Sequence, residues 1–497
     1  MVSYGPIEPK ANEVVTPSPL VGAPPPPHAY NPRFSRGVTL LSALVLCISI
    51  AIVAWLSFDV PRVDRVPDAE RALSHMVGRL MDLEAGLKTR PVWEQYLYEV
   101  TMGSDANDRA QAIDWYRELA EESPDPYVDL HQAILEGEAG RKQDIQHKIG
   151  QWARQIEPYP VFARMLEAGY VDAHVAPDYA LDLQAQLAEQ PLNGWFYSIL
   201  ATRIAERSGD RSLLATIDAS SQQRTAVLLW RARAFAFLEL VLMLAGLTVL
   251  GWWLRLKTRQ AIFQVGSAEL PPLWAGRLGL GVLLRGGAVG ALLTVAFLFT
   301  AMDYPSLRAL AVPLSNFPLL ALAYYHLLRP QGLTFWSGFG LHIEPRRLGQ
   351  LGLAVVAIVA AGLVGEWVMG RLAEPLNLAS HWTEWFDGDL VWGSPSTLAV
   401  SLIEYVLFAP VFEELAFRGL MFGVLRRRFH WWPAAVLSAA LFALAHGYGL
   451  IGFLSVFWSG MIWAWAYERT GSLWPGMIGH AVNNLLVCLS VMALLRA

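Results

Sequence analysis

Apolar positions in this 497-residue chain gather in long runs separated by short polar connections. Residues 38–58 form the first run, long enough to cross a bilayer as a helix, which needs about 20 apolar residues. From Ala234 onward the runs recur at 234–254, 286–302, 309–328, 351–369, 396–417, 433–446, 451–467 and 474–494. With the first, they predict about nine membrane helices. Residues 332–340 are too short to span and are expected to lie along the interface.

The stretch 59–233 has a different texture, with charged, helix-period segments and no run long enough to cross. Pro124, Pro158 and Pro191 each follow a helical stretch, at intervals of 34 and 33 residues. Gly140-Arg141 and Gly209-Asp210 lie two such periods apart. This spacing resembles tetratricopeptide-type repeats. An unrelated helical bundle with prolines at helix ends is the other reading. Residues 1–37 are rich in proline, with Pro24 to Pro27 in a row, and are expected to lack a packed core.

Composition agrees with a membrane chain. Hydrophobic residues make up 54% and charged residues only 16%, against roughly a quarter charged in soluble domains. A net charge of -5 offers no basic footprint for nucleic acid. Two cysteines, Cys47 and Cys488, exclude a disulfide framework and a cysteine zinc site. The run at 38–58 lies far from Met1 and has no small-residue cleavage site after it, so it reads as an anchor and not a signal peptide. Basic clusters at Arg33/Arg36, Arg255/Lys257/Arg259, Arg346/Arg347, Arg426/Arg427/Arg428 and Arg469 fall on one side of the count. The positive-inside rule makes that side cytoplasmic and sets 59–233 and the C-terminus outside.

The predicted fold is therefore all-α: a polytopic helical membrane bundle with an N-terminal extramembrane α-helical domain. Its segments are 1–37, a cytoplasmic tail; 38–58, an anchor; 59–233, the extramembrane helical domain; 234–349, accessory membrane helices; and 350–497, the core. The expected location is a plasma membrane of bacterial type. Lipid, a membrane-associated protein or peptide, and a protein partner at the helical domain are the expected partners.

Candidate chemistry concentrates in that last segment. Glu413 and Glu414 stand side by side in an apolar run, where carboxylates are costly and seldom kept without a use. Arg418 is one helical turn from Glu414 and can pair with it. Glu413 is turned by about 100° and has no local cation. Pro410, just ahead, should bend the helix. The next two runs supply His446, then His480 with Asn484 one turn later. Taken singly, each has a packing explanation: a buried ion pair, a satisfied core histidine, or interhelical hydrogen bonding. Three successive apolar runs each supplying such a group are harder to explain as packing.

The ordered set Glu413-Glu414-x-x-x-Arg418, Phe442-x-x-x-His446 and His480-x-x-x-Asn484 resembles the CPBP family of intramembrane endopeptidases. These are the CAAX-protease and bacteriocin-processing enzymes. The approach Arg469-Thr470-Gly471-Ser472-Leu473-Trp474-Pro475 is similar too, and the resemblance covers roughly residues 350–497. It implies that Glu413, helped by His446, activates water, that His480 and Asn484 stabilise the oxyanion, and that Glu414 and Arg418 hold the site together. Amide hydrolysis needs such a base and such donors. Glu413, His446 and His480 are also a His₂Glu set, the ligand class of catalytic zinc, so a divalent metal stays open. Two other classes compete: a non-catalytic scaffold or immunity-type membrane protein, and a proton-coupled transporter.

Overall fold

The computed structural model describes residues 34–59, 62–102, 105–255, 263–300, 304–376, 378 and 380–496. The proline-rich segment up to residue 33, and the cluster residues Lys257 and Arg259, lie outside the described residues. Among the described residues there is no strand. The protein is an all-α chain with a helical domain set on a membrane bundle.

The first apolar helix is α1 (Arg36–Asp59). After it come α2 (Ala69–Lys88), α3 (Val92–Met102), α4 (Asp105–Glu122), α5 (Pro126–Glu138), α6 (Lys142–Trp152), α7 (Tyr159–Leu166), α8 (Pro177–Glu189) and α9 (Gly194–Ser208). Their starts follow the chemistry of helix ends. Asp125 accepts a hydrogen bond from Tyr127 N at 3.0 Å, with Pro126 in the first turn of α5. Gly209, at φ 73°, closes α9 in the left-handed conformation that glycine alone adopts freely. Successive helices open at Lys142, Pro177 and Arg211, steps of 35 and 34 residues, and their partners at Pro126, Tyr159 and Gly194, steps of 33 and 35. The pairs bury Tyr116, Phe162 and Phe196 with His131. Arg203 grips Glu138 through two bonds of 2.8 and 2.7 Å.

Helix α10 (Arg211–Arg255) joins this domain to the bundle without a break over 45 residues, about 68 Å at the helical rise. It starts as the last helix of the domain and ends as a membrane span. A Cβ on Gly246 would lie 2.2 Å from the Ala360 Cβ, so the missing side chain allows a close helix crossing. The remaining helices are α11 (Gly276–Thr300), α12 (Pro305–Ala323), α13 (Leu348–Ala373), α14 (Pro395–Arg426), α15 (Trp431–Leu444), α16 (Leu450–Thr470) and α17 (Trp474–Leu495). The short 332–340 stretch holds one capped turn, Phe335–Gly338.

Among the described residues, eight helices are long and apolar enough to cross a membrane. The expected span at 433–446 is corrected: α15 has 14 residues, about 21 Å long. His446 lies beyond it, in a turn closed by Gly447 at φ 64°. The helix stops there because that left-handed turn reverses the chain into α16.

Two features tie the helical domain to the bundle. Trp382, Phe386, Leu390 and Val391 of the 380–394 loop, with Cys488, Val491 and Leu495 of α17, belong to the same apolar core as the domain. The end of α17 is then held by polar bonds. His75 Nε2 meets the Leu495 carbonyl at 2.6 Å, and Arg231 donates to the Arg496 carbonyl at 2.5 Å. His381 of the loop pairs with Glu118 of α4 at 3.0 Å.

Candidate active site

Helix α14 carries both glutamates, and its backbone is not regular. Glu404–Phe408 and Glu414–Phe422 are wide turns with i→i+5 bonding, a pattern frequent where a helix must present functional groups. The first has a local cause. Ala409 N donates to the Glu404 carbonyl, so in the same register the next donor would be residue 410. That residue is proline and has no N–H. The Tyr405 carbonyl is left over, and Asn484 Nδ2 of α17 donates to it at 2.9 Å. Ser438 of α15 serves the second wide turn in the same way, donating to the Phe417 carbonyl at 3.1 Å.

The two carboxylates differ as their rotation on the helix implies. Glu414 and Arg418 are both 0% exposed, with Arg418 Nη1 donating to Glu414 Oε1 at 2.8 Å. The guanidinium lies 4.2 Å over the Phe442 ring and 4.9 Å from the Trp463 ring. Small residues make room for it. A Cβ on Gly460 would sit 2.9 Å from Arg418 Nη2, and one on Gly476 would sit 2.9 Å from Glu414 Oε2. The Glu413 side chain keeps 23% of its surface and has no arginine or lysine partner among the described residues.

His480 stands between the carboxylates. Its Nδ1 is 3.3 Å from Glu414 Oε1 and its Nε2 is 3.9 Å from Glu413 Oε2. The second distance is too long for a direct hydrogen bond and short enough for one bridging polar atom. The imidazole stacks on Trp463 with centroids 4.0 Å apart, which fixes its plane. His446 reaches the same group from the turn after α15. Its Nδ1 bonds the Phe442 carbonyl at 2.8 Å, leaving Nε2 as the outward nitrogen. Both imidazoles meet the edge or face of Phe442, at 4.7 and 6.0 Å. His446 lies within electrostatic range of Glu413, His480 and Arg418.

The structure thus brings Glu413, Glu414, Arg418, His446 and His480 together. Asn484 is one turn away on α17, and its amide donates to the Tyr405 backbone. Among the described residues, no group of three His, Cys, Asp or Glu side chains is disposed to hold a metal ion, so Glu413, His446 and His480 do not form one as arranged. Each histidine has its Nδ1 engaged, one by a carbonyl and one by Glu414, which leaves Nε2 as the nitrogen open to the site.

Four participants have no signal in the sequence. Trp463 is one tryptophan among 20. Gly460 and Gly476 matter only through what packs against them. Glu384 belongs to the loop joined to the helical domain, and its Oε1 accepts from Gly449 N at 3.0 Å. It braces the turn that carries His446 and Tyr448, whose rings are 5.6 Å apart.

Comparison with known proteins places this cluster. Residues 395–486 match the type II CAAX prenyl endopeptidase Rce1-like family. An Escherichia coli protein named "Uncharacterized 24.3 kDa protein" is 31% identical over 130 residues, covering 25% of this chain and 58% of that protein. The Bacillus subtilis protein named "Putative membrane peptidase YdiL" is 28% identical over 99 residues, covering 20% of this chain and 38% of that protein. The chain therefore spans less than two thirds of either relative. No solved structure matches it. The segment that carries both glutamates, Arg418, both histidines and Asn484 is a domain of the Rce1-like CAAX prenyl endopeptidase family.

Proposed function

We propose that this domain is an intramembrane endopeptidase, hydrolysing a peptide bond of a membrane-associated, CAAX-type protein or peptide. The observation that carries the reading is the division of labour between adjacent carboxylates. Glu414 is sealed against Arg418, while Glu413 is part-exposed and faces His480 Nε2 at 3.9 Å. Charge is thus neutralised on one side of the helix and left available on the other.

In this reading a water is held beside Glu413, with His446 Nε2 as its second polar neighbour. The water oxygen attacks the scissile carbonyl carbon as Glu413 takes its proton. The carbonyl π electrons move to oxygen, and the oxyanion is stabilised by a donor. His480 Nε2 supplies that donor, with Nδ1 held toward Glu414. Collapse of the tetrahedral intermediate breaks the C–N bond, and the proton held by Glu413 passes to the leaving amine. Glu414, Arg418, Phe442 and Trp463 position the imidazoles. Asn484 acts through the Tyr405 backbone, keeping the wide turn ahead of Glu413 in shape.

The basic end of the bundle is the cytoplasmic one in this reading, and the helical domain stands outside, where it recruits a protein partner or substrate. Deleting residues 59–233 would then reduce substrate recovery. The decisive experiment is Glu413→Gln, reconstituted in nanodiscs and assayed on a prenylated CAAX peptide. Loss of a general base removes about 10²–10⁴-fold in rate. Unchanged turnover in a folded, inserted variant would refute the assignment and favour a non-catalytic scaffold.

A further inference from the structure

Helix α3 is built inside out. At about 100° per residue, Val92, Trp93, Tyr96 and Leu97 share one face, and they are 80%, 67%, 66% and 52% exposed. The opposite face meets the rest of the domain. Glu94 accepts from Arg233 Nε at 2.7 Å, Gln95 donates to the Arg90 carbonyl at 2.7 Å, and Tyr98 packs beside Leu83, Leu87, Leu228 and Leu229. A domain standing in water would turn the apolar face inward, because a contiguous exposed apolar patch invites association.

The place of α3 in the fold says what covers that face. Arg233, which holds Glu94, is the last residue before α10 becomes an apolar span at Ala234. Below it, Phe237, Leu240 and Leu244 are 67%, 48% and 56% exposed, as lipid-facing side chains are. Arg231 marks the same level on a second span, since it holds the carbonyl of Arg496 at the end of α17. Trp230, one turn above Arg233, is 70% exposed and continues the aromatic edge. The apolar face of α3 is thus continuous with the transmembrane surface, at the height where two spans leave it. Tryptophan and tyrosine favour that height, where rings are part apolar and part polar.

We propose that α3 is an in-plane membrane helix: Val92, Trp93, Tyr96 and Leu97 enter the headgroup–acyl boundary of the bilayer, while Glu94 and Arg233 pair at its polar edge. The occupant of the face is lipid. The helical domain is then seated on the membrane by α3 as well as by α10, which sets its height and tilt above the bundle.

The test uses the full chain in vesicles of phosphatidylethanolamine and phosphatidylglycerol. A nitroxide is placed at Trp93→Cys, Tyr96→Cys or Leu97→Cys in a Cys47→Ser background. Leu181→Cys is the reference. Leu181 is 61% exposed and borders the same cleft as Leu213, about 30 Å along α10 from Arg233. Collision with oxygen, which enters lipid, and with a water-soluble nickel chelate is measured at each site. The expected result is a several-fold higher oxygen-to-nickel ratio at 93, 96 and 97 than at 181. Nickel access equal to that at 181 places the face in water and overturns the proposal. Protection from both reagents places it against protein and overturns it as well. Each substitution is at an exposed position, and an unchanged circular dichroism spectrum identifies the folded variants.

Discussion

Removing the charge of Glu414 while leaving Arg418 in place should cost far more stability than the same change at Glu413. Arg418 is 0% exposed, and its partner carboxylate sits 2.8 Å away, also 0% exposed. Glu414→Gln leaves a guanidinium buried without a counter-charge, a change that costs about 3–5 kcal/mol. Glu413→Gln alters a side chain that keeps 23% of its surface and has no arginine ion pair among the described residues. Its cost should stay within about 1 kcal/mol, the range of partly solvated charges. The double variant Glu414→Gln/Arg418→Met removes both charges and keeps a long apolar stem between Phe442 and Trp463. Buried pairs replaced in this way are often near neutral, so the double variant should recover at least about 2 kcal/mol of the single loss. The assay is thermal unfolding in nanodiscs, followed by tryptophan fluorescence, as a double-mutant cycle. Equal losses for Glu413→Gln and Glu414→Gln, or a double variant as unstable as the sum of its singles, would refute the idea that the pair carries its own compensation.

Further outcomes follow from other contacts. Glu384→Ala removes the acceptor of the Gly449 N–H and loosens the turn bearing His446. A lost bond to a charged group is worth about 1.5–3 kcal/mol, so kcat should fall at least about tenfold with KM little changed, as read by steady-state cleavage. Peptidase activity should survive exhaustive chelation, because the imidazoles and Glu413 are not disposed as a ligand set; loss restored by added zinc would refute this. In the helical domain, burial pushes the His131 imidazole down from 6.5 to about 3. The folded state holds it neutral, so its contribution is fully present above pH 6.5 and is lost as pH falls from 6.5 toward 3. At about pH 5 the loss is roughly 2 kcal/mol, and His131→Phe should flatten that acid limb in thermal melts of the full chain. Burial lowers His75 as well, which adds to the same limb.

The kind of the long helices, and the place of all but one of the expected spans, were open to reading from sequence because each depends on local facts. A run of apolar residues at a fixed rise per residue either matches the bilayer thickness or does not. The pairing of Glu414 with Arg418 was equally local, since i and i+4 share a face. The ordered motifs then identified the segment that matches the family. The length of α15 was not local in the same sense. An apolar run read as 433–446 stops at Leu444, because the following turn is shaped by Gly447 and by the Glu384 contact to Gly449, which comes from a distant loop.

Tertiary structure alone decided which atoms face one another. The missing amide hydrogen of Pro410 was visible, yet not that Asn484, 79 residues past Tyr405, would serve the carbonyl left over. The height of His446 relative to Glu413, the nitrogen that His480 turns to each carboxylate, and the stacking of Trp463 all arise from contacts between separate helices. So does the fusion of the helical domain with the 380–394 loop and the end of α17. Local sequence sets the length, polarity and handedness of each helix. Contacts between helices depend on rotation and depth, which only the packing of all of them together fixes.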